Sequence, residues 1–283
     1  MEWSQGTDDE AANPLDGVEV VDAHCHASLV WFEPIEALRE QMLRNDVGQA
    51  VLVQMNGQSD NTYQEQCVRQ DPASLASVVR IDQSAGDVAY KLREAAARGA
   101  TGVRIRPEER APRGDPLALW KAAEQLGMAV STGGSSAELL TDELEEAIAT
   151  VADIAVVLEH AGALNHPNEH DTLEARRRVL DLARYSNVYV KIHGLGEFAR
   201  RALPVSGAFP FERPLPPVLD DALERFGPQR MLWGSDFPPC SYREGYHNAL
   251  RLTAKELSSL SHSERADIFG GNARRLYWRQ HQR

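Results

Sequence analysis

The sequence predicts an α/β protein folded as a single (β/α)8 TIM barrel. Three observations carry that expectation. Eight short apolar, β-branched runs recur along the 283 residues. Amphipathic segments with helical spacing lie between them. The length is close to the roughly 250 residues typical of such a barrel. Strands alternating with helices imply βαβ units and a parallel sheet. An open doubly wound sheet satisfies the same alternation and stands as the alternative.

The runs follow in order. "VEVV" (18–21) opens the first strand and leads into "DAHCHAS". "PIEALREQMLRND" has helical spacing and stops at Asn-Asp, as helices often do. "AVLVQ" (50–54) and "LASVVRI" (75–81) give strands two and three. The helix "DVAYKLREAAARG" ends at a glycine and precedes "TGVRIR" (101–106). "DPLALWKAAEQLG" separates it from "MAVST" (128–132), and "IAVVLEH" (154–160) is strand six. "DTLEARRRVLDLAR" is the helix before "NVYVKIH" (187–193). A long segment rich in Pro and Phe (194–217) reads as an extended loop over the barrel mouth, and "RMLWGSD" (230–236) is the eighth strand.

The net charge of -12 excludes a basic face for nucleic acid or an anionic membrane, though not a local basic pocket for a small anionic substrate. No run of 18 apolar residues is present, so no membrane span is expected. Three scattered cysteines, Cys25, Cys67 and Cys240, suit reduced thiols in the cytoplasm. The acidic N-terminus lacks the features of a signal peptide. It reads as a flexible arm over residues 1–15, followed by one domain over 16–283. Trp31, Phe32, Phe209, Phe211 and Trp278 suit the mouth, the core or a contact between copies of the chain, which leaves a homo-oligomer open.

Side chains alternate faces along a strand. Val188, Val190 and Ile192 therefore share the helix-facing side, and Tyr189, Lys191 and His193 the inward side. Val103 and Ile105 face the helices, leaving Arg104 and Arg106 inward. Asp22, His24 and His26 form a third polar row, and Gln54, His160 and Asp236 each close a strand. In such barrels the C-terminal strand ends carry the active site. Imidazole plus carboxylate is a ligand set for a divalent metal, zinc first among them. Arginine is the usual fork for a carboxylate, so Arg104 and Arg106 are expected to bind an acidic substrate, with Lys191 and His193 extending that pocket. Lys191 is equally suited to a core ion pair with Asp236 or Glu159.

Other features carry less. His166 and His170 read as solvated loop residues. Cys25 points opposite to its histidine neighbours and reads as packing. "GLGEFA" (194–199) follows the seventh strand, where a dinucleotide fingerprint would follow the first. "GGSSA" (133–137) is no nucleophile elbow.

The pieces "DAHCHAS", "AVLVQ" with "DNTY", "GVRIRP", "LEHAG", "NVYVKIHG", "FGPQRMLWGSDFP" and "IFGGNARRLY" run in order over residues 18–277. In that order the chain resembles the amidohydrolase superfamily, in particular its amidohydrolase-2 branch. Within that branch it is most similar to the fuconolactonase and pyrone-dicarboxylate lactonase group. The resemblance implies a hydrolase opening a lactone of a small carboxylated molecule. It implies Asp236 as general base, His160 as the group polarising the carbonyl or orienting water, and His24 and His26 at the reacting centre. One divalent metal on His24, His26 and Asp236 is implied, or a metal-free site. The strand-five histidine common in mononuclear members is replaced here by Ser131 and Thr132, poor zinc ligands. A metal-dependent decarboxylase of the same superfamily and a non-catalytic binder of an acidic metabolite are the alternatives.

Overall fold

The computed structural model describes residues 13–84, 86–163, 171–205 and 207–278. The arm expected over residues 1–15 lies, up to residue 12, outside them, as do His166 and His170. All eight expected strands form: β1 (Val20–Cys25), β2 (Val47–Val53), β3 (Leu75–Val79), β4 (Gly102–Arg104), β5 (Ala129–Thr132), β6 (Val156–Leu158), β7 (Val188–Ile192) and β8 (Met231–Trp233). They pair in parallel in the order β1 to β8. The ring closes where the tip of β1 meets the chain leaving β8. Cys25 bridges Phe237 there, the His26 N–H donates to the Phe237 carbonyl at 2.8 Å, and the Asp236 N–H donates to the His24 carbonyl at 2.8 Å. This is a (β/α)8 barrel, and the open-sheet alternative falls.

Helices follow the strands: α1 (Ile35–Arg44), α2 (Thr62–Gln70), α3 (Val88–Ala97), α4 (Ala118–Gln125), α5 (Ser136–Leu139), α6 (Asp142–Thr150), α7 (Leu173–Leu180), α8 (Val218–Phe226), α9 (Tyr246–Glu256), α10 (His262–Ala266) and α11 (Asn272–Tyr277). The four segments with the clearest helical spacing lie on α1, α3, α4 and α7. Local chemistry sets several starts: Asp87 caps α3 by accepting from the Tyr90 N–H, and Thr172 caps α7 by accepting from the Ala175 N–H.

The core divides along the alternation of the strands. Val103, Ile105, Val188, Val190 and Ile192 pack outward among the helices. Val21, Ala23, Val51, Val78, Val157 and Leu232 fill the barrel, with Leu276 and Tyr277 of α11 among them. Cys25 joins the outer layer, fully buried, as packing. The long connection after β7 holds a 3-10 turn at Leu195–Glu197 and a bridge between Arg201 and Phe211.

One register defect corrects the sequence reading. Asp22 pairs with Ala50 and Cys25 with Leu52, so β1 spends three steps where β2 spends two. Such an irregularity flips the parity of the strand. Asp22 therefore does not share the inward row with His24. Its carboxylate accepts from the Ser235 N–H at 2.8 Å, Ser235 Oγ at 2.6 Å and the Tyr246 hydroxyl at 2.9 Å, tying β1 to the end of β8 and to α9.

Candidate active site

Strand ends bring the polar residues together at one mouth. His24 lies on β1 and His26 just past it. Arg104 ends β4, Ser131 lies on β5, and Glu159 and His160 follow β6. Lys191 lies on β7 with His193 beyond it, and Asp236 follows β8. The ring centroid of His24 is 5.0 Å from that of His26, 5.3 Å from His160 and 4.9 Å from His193. His24 Nε2 is 3.9 Å and His26 Nε2 3.5 Å from Asp236 Oδ1. His160 and Asp236 both hold positive φ, 55° and 56°, a sparsely populated backbone region common at functional sites. Gly234 permits the closure: a Cβ there would lie 2.6 Å from the His24 nitrogen.

Hydrogen bonds fix the rings. His26 Nδ1 lies 2.7 Å from the Val53 carbonyl, which only accepts, so Nδ1 carries a proton and Nε2 is left facing Asp236. His193 Nδ1 likewise donates to the Gly234 carbonyl at 2.8 Å, and its Nε2 accepts the His160 backbone N–H at 3.3 Å. His160 Nδ1 is held by Glu197 Oε1 at 2.6 Å. Phe32 stacks on His26 with centroids 5.0 Å apart.

Below this lies a buried charge network. Arg104 donates to Glu159 Oε2 from Nη2 at 2.5 Å and from Nε at 3.1 Å, and to the Gln54 carbonyl at 3.0 Å. Ser131 Oγ donates to Glu159 Oε1 at 2.7 Å and accepts from Lys191 Nζ at 3.1 Å. Lys191 Nζ is also 3.4 Å from His24 Nδ1. The core-pair reading of Lys191 thus takes the form of a link to Glu159 through Ser131.

Protonation follows burial and neighbours. Burial alone would raise Asp236, but a hydrogen bond from His26 when its Nε2 also carries a proton, with the fields of His160, His193 and His26, outweighs it and holds the carboxyl well below its ordinary range. Burial would also raise Glu159 and Glu197. Arg104 and Lys191 hold the first down at about 2, and His193, His160 and Arg243 the second at about 2. Burial, with Lys191 and three histidines beside it, pushes His24 far down, and burial lowers His193 to about 4. His160 rises despite its burial, because Glu197 faces it. Burial brings Lys191 down to about 8.

Two arginines depart from their expected state. Arg104 is fastened to Glu159. Arg106 lies past the end of β4, half-buried, in ion pairs with Glu108 and Glu138. Neither waits unpaired for a substrate carboxylate. Gln54 spends its amide locally, donating to the Asp60 carbonyl and accepting from the Met55 N–H. Three residues outside the expected set join the site: Glu159 as the central acid of the network, Glu197 as the holder of His160, and Arg243, whose Nη1 lies 2.7 Å from Asp236 Oδ2. Glu159 was visible only as a partner for Lys191. Glu197 sits in the dismissed "GLGEFA", where a lone acid among small and apolar residues is the signal.

The donors fit a divalent cation. His24, His160 and Asp236 each offer an atom within 4.8 Å of the others. His24 Nε2 is buried with no hydrogen-bond partner. The His26 Nε2 lone pair faces a carboxylate, an arrangement that calls for a proton or a metal ion between them.

Comparison with known proteins agrees with this architecture. The chain is 39% identical over 129 residues to an L-fucono-1,5-lactonase from Burkholderia multivorans, a match spanning 43% of this chain and 42% of that protein. The chain therefore aligns with less than half of that relative's length. Two crystal structures of an amidohydrolase from Burkholderia multivorans share the fold. The one with bound HEPES is 24% identical at a TM-score of 0.73, and the one with bound zinc is 23% identical at 0.72. Each match covers 92% of this chain and 99% of the other. The family profile described as amidohydrolase matches residues 21–279. Since that match takes in nearly the whole chain and all of the barrel but the first residue of β1, the chain belongs to the amidohydrolase family.

Proposed function

We propose that this protein is a hydrolase that opens the ring of a lactone by adding water across its ester C–O bond, with Asp236 as general base. The observation that carries this reading is Asp236 itself. It is held ionised at the mouth, with one oxygen bound by Arg243 and the other turned toward His24 and His26. A carboxylate so placed takes a proton from water and passes it to the leaving ring oxygen, giving the hydroxy acid. His160, oriented by Glu197 through Nδ1, presents Nε2 to the carbonyl oxygen and stabilises the negative charge that develops there. His24, His160 and Asp236, whose donor atoms lie within 4.8 Å of one another, would hold one divalent ion with His26 beside them, zinc by donor type. When bound it supplies Lewis acidity and lowers the pKa of water.

The 39% identity to a fuconolactonase supports the lactone as the bond type. Arg104 and Arg106, the two arginines expected to hold a substrate carboxylate, are both paired to carboxylates of the protein, which favours an uncharged sugar-type lactone over a carboxylated one. The test is a panel of neutral and carboxylated lactones in 18O-labelled water. Label in the product carboxylate supports hydrolysis; carbon dioxide release would mean a decarboxylase instead. Asp236→Asn should lower turnover by roughly 10²–10⁴-fold. Near-parental turnover in that variant on every accepted substrate would end the assignment.

A further inference from the structure

We propose that Arg243 is a positioning residue that locks the base and the carbonyl-facing histidine into one unit, an inference that rests on the lactone-hydrolase reading above. Arg243 follows the 3-10 turn Pro239–Tyr242 beyond β8. Its Nη1 lies 2.7 Å from Asp236 Oδ2 and 3.4 Å from Glu197 Oε1. That same Glu197 oxygen is 2.6 Å from His160 Nδ1. One guanidinium nitrogen, with two hydrogens to give, therefore stands between the two carboxylates. The chain of contacts runs Asp236, Arg243, Glu197, His160, and it joins the ends of β8, β7 and β6.

Three physical points give the clamp its role. Both ends of the chain hold positive φ, a conformation that non-glycine residues keep only where their surroundings over-determine it. Without the guanidinium, Asp236 Oδ2 would lose its 2.7 Å partner and the buried Glu197 carboxylate would keep only His160. With it, Asp236 Oδ2 is occupied, and Oδ1 alone is turned to His24, His26 and the reacting water. The clamp is itself held. Arg201, in the long connection after β7, donates to the backbone carbonyls of Tyr242 and Arg243. That long connection is thus tied to the base through Arg243.

The experiment compares Arg243→Met, Arg243→Lys and Arg243→Ala on a lactone that the parent opens. Misplacement of reacting groups on the 1 Å scale costs about a hundredfold. Arg243→Met should lose about that factor in kcat with KM nearly unchanged, and Arg243→Lys should retain part of the rate, since an ammonium reaches one carboxylate at a time. Guanidinium ion should restore Arg243→Ala where equimolar sodium chloride does not. The double variant Glu197→Gln/Arg243→Met should be no slower than the slower single. A loss confined to KM, parental kcat in Arg243→Met, or no rescue by guanidinium in a folded Arg243→Ala would overturn the proposal. A measurement that needs no substrate separates its failure from that of the lactone reading. The downfield His160 Nδ1 proton, identified by its absence in Glu197→Gln, should shift or broaden in Arg243→Lys. An unchanged resonance overturns the clamp even if no lactone is opened.

Discussion

Arg104 and Glu159 meet beneath the barrel mouth, two guanidinium nitrogens on one carboxylate oxygen at 2.5 and 3.1 Å. The pair spans β4 to the end of β6, and Ser131 of β5 hydrogen-bonds the other oxygen. It sits under the reacting groups with little water around it: Arg104 is 6% and Glu159 1% exposed.

Breaking such a pair from one side leaves an uncompensated buried charge. Arg104→Met should therefore lower folding stability by about 3–5 kcal/mol. Arg104→Met/Glu159→Gln should recover much of that loss, since both charges are then gone. Urea unfolding measures both. If Arg104→Met unfolded at the parental midpoint, the guanidinium would be free for substrate, as the sequence alone suggests.

Glu244 gives a pH-dependent prediction. Its side chain is enclosed, with Gly194 and Gly196 leaving the space it fills: a Cβ on either would fall within bonding distance of its carboxyl oxygens. Burial raises its pKa to about 7, with Arg243 pulling the other way. The folded value lies above the unfolded one, so the folded state binds the extra proton between about 4.5 and 7. Its contribution to stability is complete below that window and lost as pH rises through it. Glu244→Gln mimics the protonated form. It should match the parent near pH 4 and exceed it above pH 7, by up to about 3 kcal/mol for 2.5 pKa units. Unfolding curves whose difference does not change with pH would contradict this.

The barrel was legible because each strand is a β-branched run with a greasy outer face, a pattern that packing requires of any such ring. Val188, Val190 and Ile192 illustrate it, and alternation placed Lys191 opposite them correctly. Alternation failed at Asp22, because the extra residue in β1 relative to β2 is a property of the pair of strands and leaves no trace in either alone. It also could not see that Arg104 is spoken for, since Glu159 lies 55 residues away. Glu197 and Arg243 come from 3-10 turns and irregular chain, which carry no period to read.

Gly234, just past the end of β8, packs directly against His24 of β1. An alanine Cβ would lie 2.6 Å from the His24 nitrogen and 2.7 Å from its Cβ. The backbone has little freedom to retreat. The Gly234 N–H donates to the Ile192 carbonyl at 3.0 Å, and its own carbonyl accepts from His193 at 2.8 Å. Gly234→Ala should be destabilised by about 1–3 kcal/mol, the usual cost of overpacking. It should also lose activity beyond that loss of fold, because His24 must shift. A thermal melt indistinguishable from the parent's would show that the closure is looser than these contacts imply.

The last prediction concerns the metal. His26 donates through Nδ1 to the Val53 carbonyl, which leaves the Nε2 lone pair 3.5 Å from Asp236 Oδ1. His24 Nε2 is buried beside them without a hydrogen-bond partner. The His26 lone pair and the Asp236 carboxylate repel unless a proton or a cation joins them, and His24 offers Nε2 to a cation once its own proton leaves. Protein stripped with a chelator and reloaded should therefore bind about one zinc, and its melting temperature should rise with free zinc as a native-state ligand requires. Asp236→Asn and His26→Ala should each lower the bound fraction, because each removes one donor of an already sparse set. His262→Ala, on the remote and exposed start of α10, should leave it unchanged. Parental zinc content in Asp236→Asn, or no zinc and no thermal shift in the parent, would mean that a proton rather than a metal sits between His26 and Asp236.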